Sequence, residues 1–351
     1  MRLPGTVIVL LLASIGSVSG AAEDRPTNSA AQQAIAKAIG SALQADVRQA
    51  LVELRAVDAS QLSGVEARLR NCVLARFGQQ TSAEPLGPKL DPFTEGVVEH
   101  YLSYWRTALL DPAARPKALA ELETNLRSTL DSKVTASGFE AVEQELQRQL
   151  NARDYHVLLG QTGLLQEFML WRQQTSVTYR VRLPEREQEA RVEVLDGFVS
   201  RGWTDYATCR YRGTGGWAKD GVLFAVRPRY ASLDNEEFQV TFLGHETQHA
   251  VDQREFPDLQ PWQLEYRAKL VELALADETR ARVLTKFSED QGEDPASPHS
   301  YANRRVLRDV RRSLDLGVDA DLNQPPLASL QQAAADLLRA DGTRLRSKSR
   351  L

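Results

Sequence analysis

The sequence predicts an α+β protein whose amino-terminal part is mainly helical. Residues 31–172 are rich in Ala, Leu, Gln and Arg, and their apolar positions recur at the spacing of amphipathic helices. In residues 173–338, segments that alternate β-branched or aromatic residues with charged ones come first, and helical patterns follow. Strands and helices that are separated along the chain in this way are typical of the α+β class.

The first residues have the composition of a secretory signal peptide. Arg2, an apolar run at 7–15 and small residues at 17–22 match its charged, hydrophobic and cleavage regions. We expect residues 1–21 to be removed, residues 22–30 to be a flexible amino terminus, and the mature protein to be periplasmic or secreted. The apolar run is shorter than the about 20 residues that span a bilayer, so no stable membrane anchor is expected.

A helix is predicted at residues 93–110, where Val97 and Tyr101 lie on an apolar face. His100 lies within this helix, and His156 lies in a similar sequence environment. We therefore expect both histidines to be packing or surface residues rather than metal ligands.

The two cysteines, Cys72 and Cys209, can form one disulfide in an oxidising compartment. Such a bond would join the helical part of the chain to the strand-forming part. The alternative is that Cys72 binds a metal from a removable pro-segment.

Four segments have the alternation that is typical of strands. They are residues 178–183, 191–199, 206–211 and 222–226. The last of them lies between a glycine-rich loop and Pro228, close upstream of the next predicted helix.

The segment 242–249 contains the motif HExxH, formed by His245, Glu246 and His249. Residues four apart lie on one face of a helix, so the two imidazoles can bind one zinc ion while Glu246 faces a zinc-bound water. Zinc lowers the pKa of such a water to about 7, and Glu246 can accept its proton as the water attacks a polarised carbonyl. The motif predicts a hydrolytic site with one Zn²⁺ per chain.

The surrounding residues predict that this motif lies on a helix. Asp234 is a candidate N-cap with Glu237 as its capping-box partner, and an apolar helical face follows. Gly244 costs about 1 kcal/mol of helix stability against Ala, which indicates close packing of the backbone there. A second helix is predicted at residues 261–287, because Pro261 suits a first helical turn.

The third protein ligand is expected from the second helix or from the turn before it. The candidates are Asp252, Glu255, Glu265 and Glu272. A metzincin pattern does not fit, because it requires a glycine where Asp252 stands. It also requires a downstream methionine turn, whereas the two methionines are Met1 and Met169.

The motif and the segment Glu265-Tyr266-Arg267-Ala268-Lys269 resemble the gluzincin-type zincin metallopeptidases. In several gluzincin families this segment reads ExxAD, in which the glutamate binds zinc and the aspartate orients a histidine. The resemblance implies that Glu265 is the third ligand. It also implies a zincin-like domain over residues 173–338, made of a small mixed sheet, an active-site helix and a ligand helix. The chain departs from the family pattern at Lys269, which stands where the aspartate is expected.

Another carboxylate therefore has to orient a ligating histidine. Asp252 lies three residues after His249 and seven after His245, on their face of the helix, and is the first choice. The alternative is that Asp252 is an ordinary surface acid. Glu272 shares a helix face with Glu265 and is the reserve candidate, as an orienting group or as a ligand. Its alternative is a solvated helix charge.

The resemblance also implies a sheet edge that pairs with a peptide or protein substrate in extended form. Residues 222–226 are the candidate edge strand, and the alternative is a central strand. A donor that stabilises the oxyanion is expected beyond the metal. The candidates are His299 and Tyr301, with Tyr230 as a third.

The net charge of −4 gives no support for a nucleic-acid partner. Residues 339–351 are expected to form a basic flexible tail. The whole pattern predicts an exported zinc metallopeptidase of unknown oligomeric state. The alternative is a catalytically inactive zincin-fold binding protein that retains or has lost the metal, which Lys269 favours. A third interpretation is a structural α+β protein in which HExxH is coincidental.

Overall fold

The computed structural model describes residues 30–62, 64–78, 90–130 and 137–348. The predicted signal peptide, residues 1–21, and most of the predicted flexible amino terminus lie outside these ranges. The protein is of the α+β class. Its strands are β1 (His156–Thr162), β2 (Leu165–Arg182), β3 (Glu187–Arg201), β4 (Gly216–Lys219) and β5 (Val222–Val226).

Helices precede and follow these strands. They are α1 (Ala30–Leu43), α2 (Val47–Ala56), α3 (Gly64–Phe77), α4 (Pro92–Leu110), α5 (Arg115–Thr129), α6 (Phe139–Asn151), α7 (Trp203–Ala207), α8 (Glu236–Phe238), α9 (His245–Glu255), α10 (Pro261–Leu275), α11 (Arg280–Glu289), α12 (Pro298–Ser313) and α13 (Leu327–Lys348). The helix predicted at residues 93–110 corresponds to α4. In the described ranges, every helix is too short or too polar to cross a lipid bilayer.

The five strands form one sheet in the order β1-β2-β3-β5-β4. β5, which is the candidate edge strand 222–226, therefore lies between β3 and β4, and the edge-strand prediction is wrong. β4 lies at this edge of the sheet and pairs antiparallel with β5. The predicted strand 206–211 is also wrong, because the chain forms α7 and then a turn in which Cys209 and Arg210 have positive φ.

The described chain divides into two compact units. The first, called the bundle unit, contains residues 30–174 and Leu195–Gly215. The second, called the site unit, contains Thr175–Val194 and the residues from Gly216 onward. β2 and β3 contribute residues to both units, and the predicted boundary between residues 172 and 173 lies inside β2. Residues 156–172, expected to be helical, form β1, a two-residue turn and the first part of β2, in which side chains alternate between two faces.

The bundle unit has its own apolar core, which is formed mainly by α1 to α6 and the first half of β2. Cys72 on α3 and Cys209 after α7 form a disulfide within this unit. The bond therefore does not join the two units, and it leaves no free Cys72 thiol for a metal. His100 contacts Oγ1 of Thr129, and His156 is exposed on β1.

Two predictions about the helices of the site unit are wrong. The helix expected at residues 261–287 ends at Leu275, and α11 begins at Arg280. The break is stabilised by Glu236, whose carboxylate accepts hydrogen bonds from the backbone N–H groups of three residues in the connection. These are Asp277, Glu278 and Thr279, at 2.7–2.9 Å. The expected flexible tail, residues 339–351, is helical as far as Lys348.

A buried carboxylate lies in the bundle unit. Glu167 accepts hydrogen bonds from Oγ1 of Thr162 at 2.9 Å and from the backbone N–H groups of Phe168 and Trp203 at 3.0 and 3.1 Å. Burial raises the pKa of Glu167 from 4.5 to about 7, because these hydrogen bonds only partly offset the loss of hydration. The carboxylate therefore contributes a pH dependence to stability.

Between about pH 4.5 and about pH 7 the folded chain binds more protons at Glu167 than the unfolded chain does, so its free energy of unfolding falls as pH rises. Glutamine at position 167 does not titrate. We therefore expect the free energy of unfolding of Glu167→Gln to fall less over this pH range than that of the unmodified chain, by up to about 3 kcal/mol. Urea unfolding at pH 5 and pH 8 measures the difference, with the exposed Glu121→Gln as a control. A decline of equal size in Glu167→Gln and the unmodified chain would contradict the prediction.

Candidate metal centre

The motif lies on α9, at the end of a continuous helical segment. The segment begins at Asn235, whose side chain accepts a hydrogen bond from the backbone N–H of Phe238 at 3.0 Å. Asn235, and not Asp234, is therefore the N-cap, and the carboxylate of Glu237 pairs with Arg282 at 3.1 Å. Between α8 and α9 the chain forms a π-helical stretch, Gln239–Gly244. Such widened turns are frequent at functional sites.

Two glycines allow close packing around α9. A Cβ atom on Gly244 would lie 3.3 Å from Cδ1 of Leu275 and 3.5 Å from Cγ1 of Val271, so α10 passes close to the backbone there. This is the close packing that the sequence predicts at Gly244. A Cβ atom on Gly216 would overlap the ring of Phe242, so glycine is required where β4 passes this segment. β4 also contacts α9.

The structure brings His245, His249 and Glu265 together. Their potential ligand atoms all lie within 4.8 Å of one another, and all three side chains are buried. The two Nε2 atoms are 3.0 Å apart, and Nε2 of His249 is 3.2 Å from Oε1 of Glu265. Nε2 of His245 is 3.7 Å from Oε2 of Glu265. Donor atoms around a tetrahedral zinc are about 3.3–3.6 Å apart, so these distances match a site that needs little rearrangement to bind the ion.

Glu272 orients His245. Its Oε1 atom lies 2.6 Å from Nδ1 of His245, and both side chains are fully buried. Burial opposes the ionisation of Glu272, but Lys286 and the hydrogen bond from His245 hold its pKa at about 2. Glu272 is therefore an anion that accepts the Nδ1 proton, and the lone pair of His245 stays on Nε2, where a metal can take it. The interpretation of Glu272 as a solvated helix charge is wrong.

Asp252 has a different role from the one expected. It is fully buried, so it is not a surface acid. Its carboxylate accepts hydrogen bonds from Nε2 of Gln248 and Nε of Arg267, both at 2.9 Å. Arg267 also contacts Glu185 and Asp341, at 3.1 and 3.2 Å. Asp252 thus links α9 to the buried arginine of α10. Neither ligating histidine is among its hydrogen-bond partners in the part of the chain that the structure describes.

Glu246 lies next to the three candidate ligands and is fully buried. Burial raises its pKa to about 7, and the negative charges of Glu265 and Glu272 add to the increase, while His249 opposes it. Within the described ranges neither carboxylate oxygen of Glu246 has a hydrogen-bond partner. A buried carboxylate without a partner is costly unless a cation or a reacting group accompanies it.

Buried ionisable groups of both signs meet at the centre. Glu246, Glu265 and Glu272 are three fully buried carboxylates, and the fully buried Lys269 lies beside Glu265. Burial lowers the pKa of His245 to about 4, so this imidazole is neutral and suited to bind a metal. Burial also opposes protonation of His249, yet the anion Glu265 raises its pKa.

The remaining predicted residues lie at different distances from the ligands. Nδ1 of His299, at the start of α12, is 2.8 Å from Oε2 of Glu265, and this side chain is 32 % exposed. Tyr301 packs edge-on against Trp262 and accepts a hydrogen bond from Arg305 at 3.2 Å. Tyr230 is buried and packs against Phe238 and Phe242. Of these three, the described contacts join only His299 to a candidate ligand.

The residues present fit a metal ion. Oε1 of Glu265 and both oxygens of Glu246 lack an aligned hydrogen-bond partner among the described residues, although they are buried. Two imidazoles and one carboxylate are the donor set of several zinc hydrolases. Comparison with family models, with curated proteins and with solved structures finds no match for this chain.

We expect the mature protein to bind one zinc ion per chain and His249→Ala to weaken binding by at least about 100-fold, because a direct ligand contributes more than the 10–100-fold of an orienting group. Elemental analysis and competition with a chelator measure binding. His156→Ala, at an exposed histidine, is the control. A metal-free unmodified protein after incubation with zinc would contradict the assignment.

Glu272→Gln removes the anion that orients His245, and we expect zinc binding to weaken about 10–100-fold. Asp252→Asn, by contrast, should leave zinc affinity nearly unchanged and lower thermal stability, because Asp252 contacts Arg267 and neither ligating histidine. Exposed Glu278→Gln is the control for charge. Equal zinc affinities for Glu272→Gln and Glu278→Gln would show that Glu272 does not orient a ligand.

Proposed function

We propose that this chain is a zinc-dependent metallopeptidase of the gluzincin type. One observation carries the proposal: three buried donors, His245, His249 and Glu265, lie within 4.8 Å of one another, beside the carboxylate of Glu246. Structural zinc sites usually have four protein ligands, whereas catalytic sites have three and keep a position for water or substrate. A site with three donors and a neighbouring base is suited to hydrolysis.

The metal would be held by Nε2 of His245, Nε2 of His249 and one oxygen of Glu265. When bound, zinc polarises a substrate carbonyl and lowers the pKa of a coordinated water. Imidazole and carboxylate donors suit zinc better than the harder ions magnesium and calcium, which prefer oxygen donors. We therefore keep zinc as the proposed cofactor.

Glu246 would act as the general base. A carboxyl group with a pKa of about 7 can accept a proton from the attacking water and return it to the leaving amine near neutral pH. The position of Glu246 directly after His245 places it on the same helix as two ligands, so the geometry between base and metal is set by a single rigid element.

The substrate would be a peptide in extended form. β4 lies at one edge of the sheet and contacts α9, so a peptide that pairs with this edge would run beside the helix that carries the motif. Such pairing reads the peptide backbone and is tolerant of side chains. We therefore propose β4, and not residues 222–226, as the edge strand that pairs with the substrate. The oxyanion roles of His299 and Tyr301 stay predictions.

Export remains part of the proposal. The signal that predicts it, residues 1–21, lies outside the described residues. The disulfide between Cys72 and Cys209 supports an oxidising compartment, since such bonds are rare in reducing ones. A periplasmic or secreted enzyme is consistent with both observations.

A second candidate is a zincin-like protein in which the metal only stabilises the fold. The observation that favours it is burial: His245, Glu246, His249 and Glu265 are all fully inaccessible. A substrate would have to approach from the side of His299, which is partly exposed and contacts Glu265. This candidate predicts zinc binding without turnover.

Glu246→Gln should retain zinc and lose hydrolysis of a labelled unfolded protein by about 10²–10⁴-fold, because the amide cannot accept the proton of the attacking water. Glu255→Gln, on the same helix but paired with Arg186, is the matched control and should keep full activity. Retained turnover in Glu246→Gln would rule out the mechanism. Zinc binding with no turnover in the unmodified protein would favour the second candidate.

A further inference from the structure

Lys269 stands where the resembled family has an aspartate, and its surroundings indicate why the chain tolerates a lysine there. The side chain is only 1 % exposed, its Nζ lies 3.6 Å from Oε2 of Glu265, and it lies 5.0 Å from the ring centre of Phe287. A lysine is almost never fully buried unless it is paired. The contact with Glu265 is its closest ion pair, so the lysine belongs to the metal centre.

A second cation-capable group contacts the same oxygen. Nδ1 of His299 lies 2.8 Å from Oε2 of Glu265, and α12, which carries His299, packs against α10. The other oxygen, Oε1, faces His249 at 3.2 Å. The two oxygens of Glu265 therefore have different neighbours: one faces a ligand, and the other faces Lys269 and His299.

We propose that Lys269 and His299 are positioning residues that occupy Oε2 of Glu265, so that this carboxylate offers a metal a single oxygen, Oε1. A carboxylate that binds through both oxygens takes two coordination positions, whereas one that binds through a single oxygen leaves a position for water or substrate. The inference rests on the proposed metal centre but not on peptide hydrolysis. It assigns a specific task to the residue at which this chain departs from the gluzincin pattern.

Cobalt(II) reports coordination number, because four-coordinate cobalt absorbs visible light much more strongly than five- or six-coordinate cobalt. We expect the unmodified chain loaded with cobalt(II) to give the strong spectrum. Lys269→Met and His299→Gln should give weaker spectra, as Oε2 becomes free to bind. Lys269→Arg, which keeps the charge, should restore at least part of the spectrum.

His156→Gln is the matched control for His299→Gln, since His156 is an exposed histidine outside the site unit. Circular dichroism checks that each variant folds. If Lys269→Met does not fold, His299→Gln, at a partly exposed side chain, decides the question. Folded variants whose spectrum equals that of the unmodified chain would overturn the inference. An unmodified chain that binds neither cobalt nor zinc would instead overturn the metal centre itself, together with this inference.

Discussion

The hydrogen bond between His245 and Glu272 is the contact on which the candidate site depends, because it joins the motif helix α9 to the ligand helix α10. Two fully buried polar groups satisfy each other there, and either would be costly alone. The approach of the helices at Gly244 makes the contact possible. The same approach places Glu265 opposite His245 and His249, so the packing of the two helices brings the three candidate ligands together.

Arg267 makes a second, separate link in the site unit. Its guanidinium contacts Asp252 on α9, Glu185 in the β2–β3 turn and Asp341 on α13. Three carboxylates around one buried arginine satisfy its fork of N–H groups and avoid the cost of an unpaired charge. Through Asp341, this link anchors α13 to α10.

Sequence patterns predict the parts of the site that depend on local geometry. The spacing of His245 and His249 is a property of any helix, and the choice of Glu265 follows from the resemblance to a family pattern. The role of Glu272 does not follow, because it depends on how two helices cross. Asp252 has the correct spacing along α9, yet its carboxylate faces Arg267, a partner from another helix. Burial of charged side chains is likewise set by tertiary packing.

In the fold, the helices of the bundle unit agree with apolar periodicity, and the class is predicted correctly. The strand order is harder to predict from sequence, since the order β3-β5-β4 depends on pairing between distant segments. Alternation of apolar and polar residues does not show which strand lies at an edge. Residues 156–172 fall within the range for which composition and periodicity predict helices, yet short apolar runs of this kind also form buried strands. The break at residues 276–279 depends on the remote carboxylate of Glu236.

The π-helical stretch before His245 has an implication for comparing sequences. A π-turn accommodates one more residue than a regular α-helix over the same rise. A homologue with one residue fewer between positions 239 and 244 would form a regular helix and still present both histidines to the glutamate. An alignment of such chains should therefore place a single-residue gap directly before the motif, as a local change of winding with the ligands in unchanged positions.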